Sequence, residues 1–250
     1  LWVFNETLKS IADGGIAVPV QLGDDSRWLV ARAQNRARAT VTGDEQALRA
    51  LAAVASDAVS RLQLTDDMVH VARHDPLTDL PNRGILLDRL TQALMRQQRD
   101  PVALLFIDLD GFKPINDRYG HAVGDDVLVR LAARLRRCVR TSDTVARVGG
   151  DEFAILFEDV DRVLMPLMCE RILSAVGEDI EVAGQPVQLG ASVGLAYGGS
   201  GDSAASLLRN ADLAMYEAKT HGKGRYVEYE PAIGQARLER LELVDDLREA

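Results

Sequence analysis

Two short apolar runs, at 16–22 and 28–33, are separated by Gly23, Asp24, Asp25 and Ser26, a pattern that predicts a strand, a turn and a second strand. From Asp44 the period lengthens. Leu48, Leu51, Ala55, Ala58, Leu62 and Val69 follow helical spacing, with Asp44 near the cap position. A parallel coiled-coil stalk and a helix packed on its own domain both fit this spacing, because alanine fills several of the inward positions. At 75–83, Pro76 and Pro81 cannot continue a helix, so a domain boundary is placed just before this stretch.

Beyond it the pattern alternates. An amphipathic helix is expected at 85–98, then a strand at 102–109 whose unbroken apolar start, Val102 to Ile107, marks it as central in a sheet. A helix at 123–139 is followed by strands at 144–148 and 152–157, joined through Gly149-Gly150 as a hairpin. A helix at 162–176, a strand at 187–196, a helix at 204–219 and a strand at 226–229 complete the series. One hairpin inside alternating helices and strands predicts an α/β fold with a mixed, largely antiparallel central sheet flanked by helices. The final pattern, 238–249, is a charged amphipathic helix without core character.

Composition narrows the function. The 250 residues are 47% apolar and 27% charged with a formal net charge of -9, an ordinary globular balance that argues against broad nucleic-acid binding. An anionic ligand then needs metal ions or local lysines. No apolar run reaches the length of a membrane span, and the chain starts at Leu1 without a leader-like pattern, so it reads as a piece of a longer protein. Cys138 and Cys169 sit in helix-like apolar patterns and are expected as buried free thiols, which fits a cytoplasmic location.

The candidate chemistry lies in the acids. Asp108 and Asp110 end the central strand, and Asp151 and Glu152 follow the Gly-Gly turn. Sheet geometry can bring a strand end and a neighbouring turn to one edge, where Asp108 and Asp151 could share a Mg²⁺ ion through hard oxygen ligands, while glycine backbone lets a phosphate lie close. By itself, Asp-Glu after Gly-Gly is as compatible with a hairpin carrying surface acids.

The surrounding residues decide between these. Phe106-Ile107-Asp108-Leu109-Asp110-Gly111-Phe112-Lys113-Pro114-Ile115-Asn116-Asp117 and on to Asp125, with Arg147-Val148-Gly149-Gly150-Asp151-Glu152-Phe153 and 75–83, resembles the GGDEF family of diguanylate cyclases over residues 72–230. The resemblance implies the GGDEF fold, which is nucleotidyl-cyclase and polymerase-palm-like, and condensation of two GTP molecules into cyclic di-GMP with release of pyrophosphate. It implies Mg²⁺ or Mn²⁺ at Asp108, Asp151, Glu152 and Leu109, with Glu152 taking part in deprotonating the attacking 3′-hydroxyl, directly or through a metal. Lys113, Lys219 and Lys223 are implied for the triphosphate, with Lys219 and Lys223, four apart, expected on one side at a helix end. Asn116 and Asp125 are implied as guanine readers, with Phe112 also in the substrate pocket; Asp125 outside the motif would pass for a helix cap. One domain holds one GTP, so the resemblance also implies a homodimer whose domains face each other across a two-fold axis. Arg140-Thr141-Ser142-Asp143 resembles the family's product-inhibition motif, and Arg171 its second arginine, making cyclic di-GMP both product and inhibitor.

Gly111 stands where many family members carry an aromatic residue, and Gly224 where asparagine is frequent. The hairpin and helix of residues 1–71 resemble the C-terminal part of a GAF sensor domain with its connecting helix, and residues 231–250 a linker helix opening into an EAL phosphodiesterase domain. Two further readings stay open: a non-catalytic module that binds GTP or cyclic di-GMP and regulates an adjoining phosphodiesterase, and a scaffold using the α/β domain only to dimerise.

Overall fold

The computed structural model describes residues 15–22, 25–32, 70–96, 101–182, 185–199 and 201–235, together with isolated helical positions between 50 and 61. It divides into two compact units, Leu1–Ala72 and Arg73–Ala250. In the first, β1 (Gly15–Leu22) and β2 (Asp25–Arg32) pair antiparallel from Gly15 opposite Arg32 to Leu22 opposite Asp25. The described positions between 50 and 72 are helical. The rest of the expected connecting helix, and the expected helix at 238–249, lie outside the described residues. Among the described residues, no helix is long and apolar enough to cross a membrane.

The second unit is built on a five-stranded sheet. Its elements are α1 (Arg83–Arg96), β3 (Val102–Asp110), α2 (Phe112–Tyr119), α3 (His121–Arg137), β4 (Thr144–Gly149), β5 (Glu152–Phe157), α4 (Met165–Gly177), β6 (Ile180–Val182), β7 (Gln185–Val187), β8 (Gly190–Gly198), α5 (Ala204–Thr220) and β9 (Tyr226–Glu228). The strand order is β4-β5-β3-β8-β9, antiparallel except for the parallel β8–β9 pair, and β6 and β7 form a separate two-stranded ribbon. The mixed, largely antiparallel sheet flanked by helices is the architecture expected.

Side chains alternate across a strand, so the sheet sorts its residues onto two faces. Leu105, Ile107, Phe153, Ile155, Val193 and Leu195 join a core with Leu131 and Leu135 of α3 and Ile172 of α4. Leu104, Phe106, Ala154, Leu156 and Ala196 join the opposite core with Leu86 and Leu90 of α1 and Leu207, Ala211 and Met215 of α5. Each such Leu or Ile removed from water contributes about 1.5–3 kcal/mol. Cys138 and Cys169 are buried free thiols in the first core. Continuing the alternation from Phe106 and Ala154 puts Asp108 and Glu152 on the α5 face. Gly194 permits this, because a Cβ there would overlap the carbonyl oxygen of Ala211, and α5 could not lie against β8.

Three differences from the sequence pattern have local causes. Helix α2 is not among the expected elements; it forms around Pro114, which falls in its first turn, where no intrahelical donor is lost. The strand expected from 187 is broken into β7 and β8 around Gln188 and Leu189. The helix expected from 162 begins with a 3₁₀ turn, Arg162–Leu164, capped by the Asp161 carboxylate accepting from the Val163 N–H, and α4 follows with proline in its first turn.

Candidate active site

Asp108, two residues before the end of β3 and 7% exposed, stands opposite Glu152 on β5 and opposite Ser192 on β8. Its Oδ2 lies 2.6 Å from Nζ of Lys219, near the end of α5. Burial pushes the Asp108 carboxyl up from its ordinary value; Lys219 opposes this, while Asp151 and Asp110 add to it. Glu152 is raised first by burial, then by the charges of Asp108, Asp212 and Asp151, with Lys219 again opposing. The tip of the β4–β5 hairpin is held at the same edge, where Leu109 donates its N–H to the Asp151 carbonyl at 3.3 Å. Gly150 turns the tip at φ 51°. The structure therefore gathers Asp108, Leu109, Asp151, Glu152 and Lys219 at one end of the sheet.

Among the described residues, no group of three or more His, Cys, Asp and Glu side chains forms a ready metal cage. The donor chemistry nevertheless suits a hard divalent cation: several half-buried carboxylates repel one another, and one ammonium offsets them.

The expected lysine arrangement needs one correction. Helix α5 ends at Thr220, and Lys223 lies beyond it in a turn with φ 59°, so Lys219 and Lys223 do not share a helical face. Gly222, at φ 109°, takes the left-handed position after the cap, and the Lys223 N–H returns to the Ala218 carbonyl at 3.1 Å, the long bond of a Schellman ending. Both lysines remain at this end of the sheet, because Gly224 donates its N–H to Asp110 Oδ2 at 3.1 Å. Ser192 Oγ donates to the same carboxylate at 3.0 Å. Sequence reading gave Asp110 no role; its position two residues after Asp108 was the available signal. Lys113 is exposed on α2.

A second feature forms where α2 meets α3. Asn116 carries a buried Oδ1 with no hydrogen-bond partner, and it faces Gly124. A Cβ on Gly124 would collide with that oxygen and stand 3.2 Å from Cζ of Phe112. A buried acceptor without a donor costs about 1–3 kcal/mol, so this one calls for a ligand donor. Asp125 is exposed on α3, beside Gly124. It is not a helix cap, since Gly120 holds that position.

Arg147, one bulge before the hairpin tip, braces the site from behind. Its Nη1 donates to both carboxylate oxygens of Asp75 at 2.9 and 3.0 Å, and its Nε and Nη2 donate to the Gly150 carbonyl at 2.9 and 2.7 Å. Burial works against the Asp75 charge, yet hydrogen bonds from Thr78 and Arg147 hold its carboxyl below the ordinary value. The motif at 75–83 carries no local sign of this pairing, which spans 72 positions.

Away from that edge, Arg140, Asp143 and Arg171 line one cleft of about 260 Å³ with Phe157 and Met168. Asp143 accepts from the Arg140 N–H at 2.9 Å, and burial raises its carboxyl. Arg171 Nη2 donates to the Arg137 carbonyl at 3.4 Å. The three residues implied for inhibition are thus neighbours.

Comparison with known proteins gives the family. Residues 72–225 match the family described as "Diguanylate cyclase, GGDEF domain". The chain is 41% identical over 196 residues to the bifunctional diguanylate cyclase/cyclic di-GMP phosphodiesterase MucR of Pseudomonas aeruginosa, covering 77% of this chain and 29% of MucR. It is 38% identical over 222 residues to the diguanylate cyclase TpbB of the same organism, covering 86% of this chain and 46% of TpbB. The solved coiled coil and GGDEF domain of DgcB from Caulobacter crescentus, in complex with c-di-GMP, superposes with a TM-score of 0.64 at 29% identity, covering 72% of this chain and 98% of that one. The chain spans less than half the length of these two curated relatives.

Proposed function

Because the chain belongs to the GGDEF diguanylate cyclase family, we propose that it condenses two GTP molecules into cyclic di-GMP and two pyrophosphates. The meeting of Asp108, Glu152 and Lys219 at one sheet end, beside the hairpin tip, carries this reading. Lys219, Lys223 and Lys113 bind the triphosphate as point charges. Asn116 accepts from guanine through its unpartnered Oδ1, Phe112 walls the pocket, and Asp125 accepts from the adjacent N–H groups, a donor pair that adenine lacks.

In each of the two transfers a 3′-oxygen forms a bond to the α-phosphorus of the other nucleotide. The bond from that phosphorus to the bridging oxygen breaks, and pyrophosphate leaves with the electron pair. Glu152, its carboxyl raised by burial and by neighbouring carboxylates, takes part in removing the hydroxyl proton, directly or through a bound metal. A bound Mg²⁺ or Mn²⁺, held by Asp108, Asp151, Glu152 and the Leu109 carbonyl, would neutralise phosphate charge. One domain holds one GTP, so two domains act as a homodimer, each presenting its nucleotide to the other. Cyclic di-GMP bound at Arg140, Asp143 and Arg171 restrains that meeting and inhibits the enzyme. A sensor with its connecting helix before this domain and a phosphodiesterase after it complete the proposed GAF-GGDEF-EAL arrangement in the cytoplasm.

The test is incubation with GTP and Mg²⁺ across protein concentration, with linear and cyclic products followed by mass spectrometry. Wild-type protein is expected to yield cyclic di-GMP, and Glu152→Gln to bind GTP without product. GTP binding without product from wild type at high protein concentration favours the regulatory module instead.

A further inference from the structure

A cleft of about 370 Å³ runs between α1 and α5 on the Asp108 face of the sheet and has Glu152 in its lining. Its floor is apolar, with Phe106 and Leu87, and its rim carries Arg83 from α1 and Arg209 and Asp212 from α5. Among the described residues neither arginine makes a hydrogen bond or ion pair, although both stand beside carboxylates. Two unpaired guanidiniums over an apolar floor suit a phosphate attached to a flat organic group, since the planar fork matches phosphate oxygens and the floor accepts the rest.

The position of the cleft relative to the lysines fixes which phosphate. Arg209, Asp212 and Lys219 share α5, and the ten-residue advance from Arg209 to Lys219 corresponds to about 15 Å along the sheet. Lys219 is bonded to Asp108 on one side of Glu152, while Arg83 and Arg209 share a cleft with Glu152 on the other. The lysine end is taken by the triphosphate of the domain's own nucleotide. A second nucleotide delivering its 3′-hydroxyl to Glu152 has the arginine end available.

We propose that this cleft is the subsite for the second nucleotide, with Arg83 and Arg209 holding one of its phosphate groups while its 3′-hydroxyl lies at Glu152. The inference rests on the cyclase reading and adds the residues that receive the partner domain's substrate. Asp212 faces the same opening and excludes a misplaced phosphate from Glu152 by like charge.

Arg83→Ala, Arg209→Ala and the matching lysine variants test it, with GTP affinity, turnover at saturating GTP and melting temperature measured on each. Both arginines are exposed, so the variants should fold. The expected result is GTP affinity within about twofold of wild type and turnover reduced at least about tenfold in each alanine variant, with partial recovery in the lysine variants. Turnover within about twofold of wild type overturns the subsite, as does a loss of GTP affinity that parallels the loss of turnover. Wild-type protein that makes no dinucleotide overturns the cyclase reading, and the subsite with it.

Discussion

Replacing Arg147 by alanine removes two hydrogen bonds to the Asp75 carboxylate and two to the Gly150 carbonyl. The side chains of Arg147 and Asp75 are only 12% and 18% exposed, so solvent screens their pairing weakly. A hydrogen bond to a charged group is worth about 1.5–3 kcal/mol, and a neutral one about 1 kcal/mol. Counting the shared carboxylate once and the Gly150 acceptor once gives a loss of about 2.5–4 kcal/mol. For a domain of this size that corresponds to a fall of about 5–16 °C in melting temperature. Lysine at 147 keeps the charge without the fork and should recover less than half of the loss. The sign with pH follows from Asp75, whose folded-state carboxyl lies below its ordinary 3.8. Its contribution is present above that value and is lost as pH falls through the lower, folded-state one, so the gap between wild type and variant should narrow in strong acid. Thermal denaturation followed by circular dichroism, across pH, measures all three. Melting of Arg147→Ala within about 2 °C of wild type, less than 1 kcal/mol, or a lysine variant as stable as wild type, would refute the reasoning.

Other expectations concern the pocket, the acids and the second cleft. Gly124→Ala forces a methyl group onto Asn116 Oδ1, so GTP affinity should fall at least about tenfold by calorimetry with little change in helix content; unchanged affinity would remove guanine from this pocket. Glu152 has a raised carboxyl, so its contribution to stability is present below its ordinary 4.5 and lost as pH rises through the folded value. With divalent cations chelated, Glu152→Gln should therefore melt higher than wild type at neutral pH and lose that advantage near pH 4, and a lower melting point at neutral pH would contradict the electrostatics. Arg140→Ala should weaken cyclic di-GMP binding and relieve product inhibition while leaving initial rates intact, and equal product affinity in the variant would assign inhibition to another surface.

Much of this site was legible in the sequence because its determinants are local. The apolar run from Val102 to Ile107 marked a central strand and so made the acids at its end conspicuous, and Gly149-Gly150 marked the hairpin that carries Asp151 and Glu152. Alternation along β3 and β5, once paired, dictates that Asp108 and Glu152 share a face. Asn116, Lys113 and Asp125 came from motif resemblance, and their setting did not. That Gly124 is required by the Asn116 side chain depends on how the short helix α2 meets α3.

The remaining facts are long-range. Asp110 is held by Ser192 and Gly224, Asp75 by Arg147, and Asp108 by Lys219, pairs that no sequence period connects. The ending of α5 separated Lys219 from Lys223, where spacing alone had put them on one face. Local pattern determined which segments form strands and helices, because burial periodicity and turn chemistry act over a few residues. Which charges meet, and which stay unpaired beside a cleft, was decided only by packing α1 and α5 on the sheet, since electrostatic partners are chosen by distance in space.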